Sequence, residues 1–210
     1  GQGSVGEWAA RTAGTHGNAL GVSICSSATA YEQTAVTTTS GTEALGQTII
    51  SVTDASTINV GDIVNFGETF EYETTARNTT DNTITIKLLD DPNGAGLQSQ
   101  ITSGTNIRRR WRFYDLFDGA PGTSDYATQN NRGNNDEIHI VVYDTEGDLS
   151  GFSVDANGNR TNAVLETFGN LSVNVNAKSP QGDSIYYPDR IFKSSQFIYW
   201  MDHNLSLIHI

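Results

Sequence analysis

"EIHIVVYD", residues 137–144, is the most apolar run of the chain's second half. Its apolar side chains run almost without interruption, the pattern of a strand covered on both faces. "DTEGDLSG" (144–151) then carries turn chemistry, and "AVLETFGNLSVN" (163–174) reads as a strand or edge segment anchored by Leu165, Phe168 and Leu171. In "SPQGDSIYYPDRIFKSS" (179–195) Asp183 or Ser184 can cap a helix and Pro188 fits its first turn. Tyr187, Ile191 and Phe192 are expected to share the buried face of that helix. "QFIYWM" (196–201) returns as a strand, with Phe197, Tyr199 and Met201 expected on its core face and Tyr186, Ile198 and Trp200 left for second faces. Strand, connection, helix and strand predict an α+β or α/β core with a mixed sheet and helices.

Upstream the texture differs. "TIISV", "DIVNF", "TFEYETTA", "NTITIKL" and "TNIRRRW" are short β-rich runs, separated by Gly, Asn and Asp turn signals. Alternation in "FEYETTA" and "TITIK" fits a sheet with one wet face. Residues 42–110 are therefore expected to form an inserted small antiparallel β-barrel or sandwich. Before it, "GTHGNALG" reads as a loop feeding a strand from Leu20 to Cys25, and "SSATAYEQTAVTTTSG" (26–41) has the composition of a linker. The predicted organisation is 1–41, N-terminal core part and linker; 42–110, the β-rich insert; 111–204, the core segment, entered through the polar loop 118–136; and 205–210, "LSLIHI", a candidate non-native tail that resembles translated sequencing adapter. A start at Gly1 and an end inside an apolar run fit a piece of a longer reading frame.

The chain has 24 acidic residues against 12 basic and a net charge of -12. Such a molecule repels polyanions, which argues against nucleic-acid and acidic-membrane partners. The local exception is Arg108, Arg109, Arg110 and Arg112 beside Trp111 and Phe113, a cluster that could grip phosphate. On so acidic a chain pairing with carboxylates is the better reading, and it stands in two forms: within the same molecule, or as charged patches that meet a neighbour. Cys25 is the only cysteine, so no intramolecular disulfide forms, and a buried thiol on a strand is the simpler reading. No run approaches the roughly 20 apolar residues of a membrane span.

Chemical motifs are weak. Asp155, Asn157, Asn159 and Glu166 match positions one, three, five and twelve of a calcium loop, but Arg160 stands where glycine is required, so a polar hairpin turn is preferred. Asp144, Glu146 and Asp148 repeat the alternation as ordinary turn residues. His139 is expected to be a structural strand histidine, and His203 beside Asp202 makes a poor dyad because neighbours on a strand point apart. No catalytic, cofactor or metal constellation is read, and the chain is expected not to be an enzyme.

"NDEIHIVVYDTEGDLSG", "VLETFGNLSVN" and "AKSPQGDSIYYPDRIFKSSQFIYWMDH", with "GEWAARTAGTHGNALGVSI" near the start, together resemble the contractile-tail sheath proteins of myophages, most closely those of T-even-like cyanophages. The resemblance covers roughly residues 1–26 and 110–204, with Thr15 and His16 replacing the family's usual aromatic step. It implies a structural subunit of a virion tail, assembled in the bacterial host cytoplasm. Partners would be other sheath subunits in stacked hexameric rings, the tail tube, the baseplate and the tail terminator. Contraction would drive the tube through the host envelope, and terminal arms would add strands to neighbouring sheets. Interface candidates on this reading are Arg108, Arg109, Arg110, Arg112, Tyr186 and Trp200, and charge reversal at Arg109 and Arg110 is expected to impair assembly. The alternatives are a fibre, baseplate or decoration module that binds glycan or receptor through Phe66, Phe70 and Tyr72, and a hydrolase with a degenerate site.

Overall fold

A computed structural model describes residues 8–89, 91, 93–145, 147, 149–151, 153–154, 160–161 and 163–201. Along the chain run β1 (Trp8–Ala10), α1 (Thr15–Asn18), β2 (Leu20–Cys25), α2 (Ala28–Tyr31), β3 (Glu32–Thr38), β4 (Ile49–Ser51), β5 (Ile63–Asn65), β6 (Tyr72–Asn78), β7 (Thr83–Leu88) and β8 (Asn106–Arg110). Then follow α3 (Asp125–Asn130), β9 (Glu137–Asp144), β10 (Ser153–Val154), β11 (Arg160–Thr161), β12 (Val164–Ser172), α4 (Tyr187–Ser194) and β13 (Ile198–Trp200). Two compact units result: one from the described residues of 1–27, 121–153 and 161–210, the other from those of 28–120 and 154–160.

In the first unit β9 is the central strand of the order β12-β9-β2, and both ladders are antiparallel. Ile138, Ile140, Val141 and Val142 are all buried, as an apolar β-branched run between two paired neighbours should be. Ile138, Ile140 and Val142 share one face and pack with Leu171, Tyr187, Ile191 and Ile198. Each fully buried aliphatic side chain of this kind contributes about 1.5–3 kcal/mol. Edge strand β12 bulges between Phe168 and Leu171, where Asn170 takes a left-handed φ of 51°.

The helix forms where expected, with Pro188 in its first turn, Tyr187 and Ile191 buried and Lys193 in its last turn. Three details differ from expectation. The cap position falls on Tyr186, without a side-chain bond, while the Ser184 hydroxyl donates to Asp189 at 3.1 Å. Docking of Tyr187 in the core sets the start of the helix, so Asp183 and Ser184 lie outside it. Phe192 is 66% exposed, because five residues of α-helix turn it about 140° from Tyr187, whereas four bring Ile191 back to the same face. In and around β13 Ile198 is the buried residue, Phe197 packs half-buried against the core cluster as expected, Trp200 does so unexpectedly, Tyr199 is half-buried and Met201 is exposed. Pairing with β1 in the register Trp8↔Trp200, Ala9↔Tyr199 and Ala10↔Ile198 fixes that choice, since a strand offers its residues alternately to two faces.

The second unit is a six-stranded sheet in the order β3-β8-β5-β6-β7-β4, antiparallel throughout. Ile50, Val64, Phe66, Tyr72, Ile84, Ile86, Leu97 and Ile107 dominate its core. The fold is α+β, mostly antiparallel and with few helices. The expected barrel is not closed: β3 and β4 are edges whose ends meet at the single bridge Thr39↔Val52. The threonine-rich segment expected as a linker is β3 itself. Its β-branched residues suit an edge ladder better than a free tether. The polar loop 118–136 likewise holds α3, capped by the Ser124 hydroxyl accepting from the Ala127 amide.

Gly96 is where this sheet unit tolerates no side chain, because an added Cβ would lie 2.4 Å from the Gln47 carbonyl and 2.5 Å from that of Gly46. Gly96→Ala should therefore cost about 1–3 kcal/mol by overpacking against backbone, whereas Gly119→Ala, with open space around it, should be nearly neutral; urea unfolding of both variants checks the difference.

Candidate functional site

The arginine cluster lies on β8, inside the sheet, between β3 and β5. Alternation sends Arg109 to the same side as the buried Ile107, and Arg108 and Arg110 to the other. Arg109 donates to Asp62 at 3.1 Å, with both side chains 7% exposed, and also to the Thr29 carbonyl. Burial pushes the Asp62 carboxyl up against the opposing attraction of Arg109. Arg110 grips Glu71 through two nitrogens at 3.1 and 2.9 Å and lies over the Tyr114 ring. Burial disfavours its charge, yet the bonds and charge of Glu71 outweigh this and raise its pKa. Arg108 pairs with Glu32, and Arg112 reaches Glu73 at 3.6 Å, where Lys87 also binds at 2.9 Å. All four arginines are thus paired with carboxylates of their own unit, the first of the two sequence readings.

In the first unit the polar side chains converge on Asp136, which is 4% exposed. Its carboxylate accepts from the Ser124 amide at 2.8 Å, the Ser124 hydroxyl at 2.7 Å, the Asn174 amide group at 3.1 Å and the Ser172 hydroxyl. Burial opposes its charge, but bonds from Ser172, Ser124 and Asn174 prevail and hold the carboxyl below its usual range. Next to it, Glu137 accepts from the Gly122 amide at 3.0 Å and from the Asn170 side chain at 3.1 Å. His139 is fully buried and its Nδ1 accepts from the Asn170 amide at 3.1 Å, so the histidine secures the β12 bulge. Asp144 ties down the following turn by accepting from the amides of Gly147, Leu149 and Ser150. These are structural roles.

Glu166, the twelfth position of the calcium template, accepts from the Ser195 hydroxyl and the Gln196 amide, both at 2.6 Å. It clamps the end of α4; Asp155, Asn157 and Asn159 lie outside the described residues, as do Glu146, Asp148, Asp202 and His203. Among the described residues no group of three or more His, Cys, Asp or Glu side chains could hold a metal. Cys25 is buried, with its thiol directed to the Ser27 carbonyl at 3.4 Å. Of the aromatic residues considered for glycan contact, Phe66 and Tyr72 belong to the sheet core and only Phe70 is exposed. No described helix is long and apolar enough to cross a membrane.

Tyr186 and Trp200 are half-buried and sit against the core cluster. Trp200 meets Tyr187 edge-on at 5.9 Å, and Trp8 approaches Tyr187 at 6.3 Å. Burial, with a smaller effect of Asp189, raises the Tyr186 hydroxyl pKa. On the outer side of α4, the Arg11 guanidinium lies 3.9 Å from the Tyr199 ring centroid and donates to the Phe192 carbonyl at 2.6 Å. Tyr199 in turn faces Phe192 at 6.2 Å. Helical angle was the signal that could have placed Phe192 here. Comparison with known proteins gives no matching family model, no matching curated protein and no matching solved structure.

Arg109→Ala should destabilise the sheet unit by about 3–5 kcal/mol, because it leaves Asp62 as a buried unpaired charge. Arg108→Ala, at a side chain 52% exposed, should cost no more than about 1 kcal/mol. Chemical denaturation of the two variants separates these cases, and reversal at Arg109 reports on folding before it reports on any interface. Asp136 has a lowered folded-state pKa, so its contribution is complete above the unfolded value of about 3.9 and is lost as pH falls through the lower folded value. Urea unfolding from about pH 6 down to roughly pH 2, a span that covers carboxylate titration, should show this acid loss in the parent chain and a smaller one in Asp136→Asn.

Proposed function

We propose that the chain is a structural subunit of a bacteriophage contractile tail sheath, which packs around a tail tube with copies of itself and shortens to drive the tube through a host envelope. The observation that carries the reading is where the resembling segments fall. "GNALGVSI" supplies β2, "EIHIVVYD" β9, "VLETFGNLS" β12, "YYPDRIF" α4 and "FIYW" β13, and their apolar residues meet in one cluster. Segments separated by more than a hundred residues thus serve one core, as motifs of one family should. Work by such an assembly would come from interfaces that hold two arrangements, with subunits moving nearly as rigid bodies. The outer side of α4 is then a surface for neighbours.

The sheet unit of residues 28–120 fits an outward-facing insert on this reading. Its arginines serve its own stability, so the four cluster residues are not retained as first-choice contacts with neighbours or tube. Tyr186 and Trp200 remain candidates, since each is half-buried.

The reading is tested by expressing the full reading frame that contains this chain and examining it by negative-stain electron microscopy. Hollow tubes with a regular axial striation are the expected result. Particles that never exceed one or a few subunits at any concentration, or a discrete fibre or spike, would overturn it.

A further inference from the structure

The outward side of α4 and the turn after β8 carry surfaces of opposite charge around one exposed apolar side chain each. Phe192 is 66% exposed and has Arg190 and Lys193, both exposed, beside it on the helix, with Arg11 fixed under it by Tyr199 and the Phe192 carbonyl. Asp189 is the one acidic residue of α4, and it is engaged by Ser184. Of the five lysines and arginines of residues 8–27, 121–153 and 163–201, three are in this group: Arg11, Arg190 and Lys193, against Arg132 and Lys178 elsewhere.

The second surface is the turn Tyr114–Leu116 and its continuation. Leu116 is 42% exposed between the exposed Asp115 and Asp118. The turn is held from below: the Tyr31 hydroxyl donates towards the carbonyls of Tyr114 at 2.7 Å and Phe117 at 3.2 Å, and Phe117 stacks on the buried Trp111 at 5.6 Å. The cation beside it, Arg110, lies over the Tyr114 ring, feels the charge of Asp115 and is itself bound to Glu71. Residues 28–120 hold 12 acidic and six basic side chains, and each of those six cations is bound to a carboxylate or, for Arg77, to carbonyls and Asn59.

We propose that these two surfaces meet between copies of this chain, the Arg190/Phe192/Lys193 face of one copy seating on the Asp115/Leu116/Asp118 turn of the next. Each surface repels its own kind, so a contact of like with like is disfavoured and a contact of unlike surfaces is favoured. A contact of that type that does not close reciprocally on a two-fold axis repeats into a ring or a helical array. Complementary charge around an apolar centre sets the partner and its register. This deepens the assembly reading by naming one contact within it, and it depends on self-association, not on the tube or on contraction.

Sedimentation velocity of the full chain over a concentration series, at low and at high salt, reads the contact. Association that weakens with salt is expected. Arg190→Glu with Lys193→Glu, and separately Asp115→Lys with Asp118→Lys, should each weaken it by about tenfold or more. An equimolar mixture of the two reversed proteins should restore association as mixed pairs, because each still carries one intact surface and the altered ones again match. Circular dichroism of each variant shows whether it is folded, and Phe192→Ser supplies a third variant that leaves every charge in place and should also weaken association. A parent chain that stays monomeric, or reversals and a Phe192→Ser change that leave association unaltered, would overturn the contact. In the second case tubes seen by electron microscopy would leave the sheath reading standing without it.

Discussion

Arg109 and Asp62 are removed from water in the middle of a six-stranded sheet, 3.1 Å apart. Two charges so placed are costly unless each finds the other and their remaining polar atoms find partners. The sheet supplies most of them: the Thr29 carbonyl for the guanidinium and the Asn59 amide for the carboxylate at 2.8 Å. Thr29 lies in α2 and Asn59 just before β5, so one ion pair ties the start of the unit to its middle. Asp62 Oδ2 is used twice, while the Arg109 Nε has no hydrogen-bond partner among the described residues. The order of strands is compatible with the same constraint. With β3 on one side and β5 on the other, β8 can place Arg108 against Glu32 and Arg110 against Glu71 while Arg109 enters the interior.

The other unit solves a different problem, a carboxylate buried without a cation. Asp136 is surrounded by neutral donors from the segment before α3, from the end of β12 and from the residues after it. Hydrogen bonds to the charged form offset the loss of water, which is why the carboxyl is held low despite its burial. One residue later the chain becomes β9, so this hub fixes where the central strand begins. His139 then sets the bulge of β12 through Asn170. A bulge turns an edge strand, and here it lets Phe168 and Leu171 both reach the apolar cluster although they stand an odd three positions apart.

With the arginines of the sheet unit paired internally, the positive charges left for partners are few and unevenly placed. An acidic chain gains solubility from its net charge, and its capacity for specific association then rests on the few sites that break the pattern. Arg11, Arg190 and Lys193 around Phe192 form such a site. Its position, on the outer side of a helix whose inner side carries the core, makes it rigid. Both properties suit an interface whose register matters more than its area.

Patterning by itself determined the elements. The continuous apolar run of 137–144 required a doubly covered strand, and the alternating runs between 48 and 111 required antiparallel strands, because side-chain period is a property of the backbone alone. Leu20–Cys25, Pro188 in the first turn of α4 and the buried Cys25 were legible for the same reason. The tertiary structure alone decided which face of β13 is inside, since a shift of one residue exchanges the faces and only pairing with β1 sets it. It also decided that a threonine-rich segment is an edge strand, that Phe66 and Tyr72 are core, and that four neighbouring arginines are paired with carboxylates of their own unit. A charge is functional or structural according to what lies across from it, and Glu32, Asp62, Glu71 and Glu73 are brought opposite β8 by strand order, which no local stretch of sequence encodes.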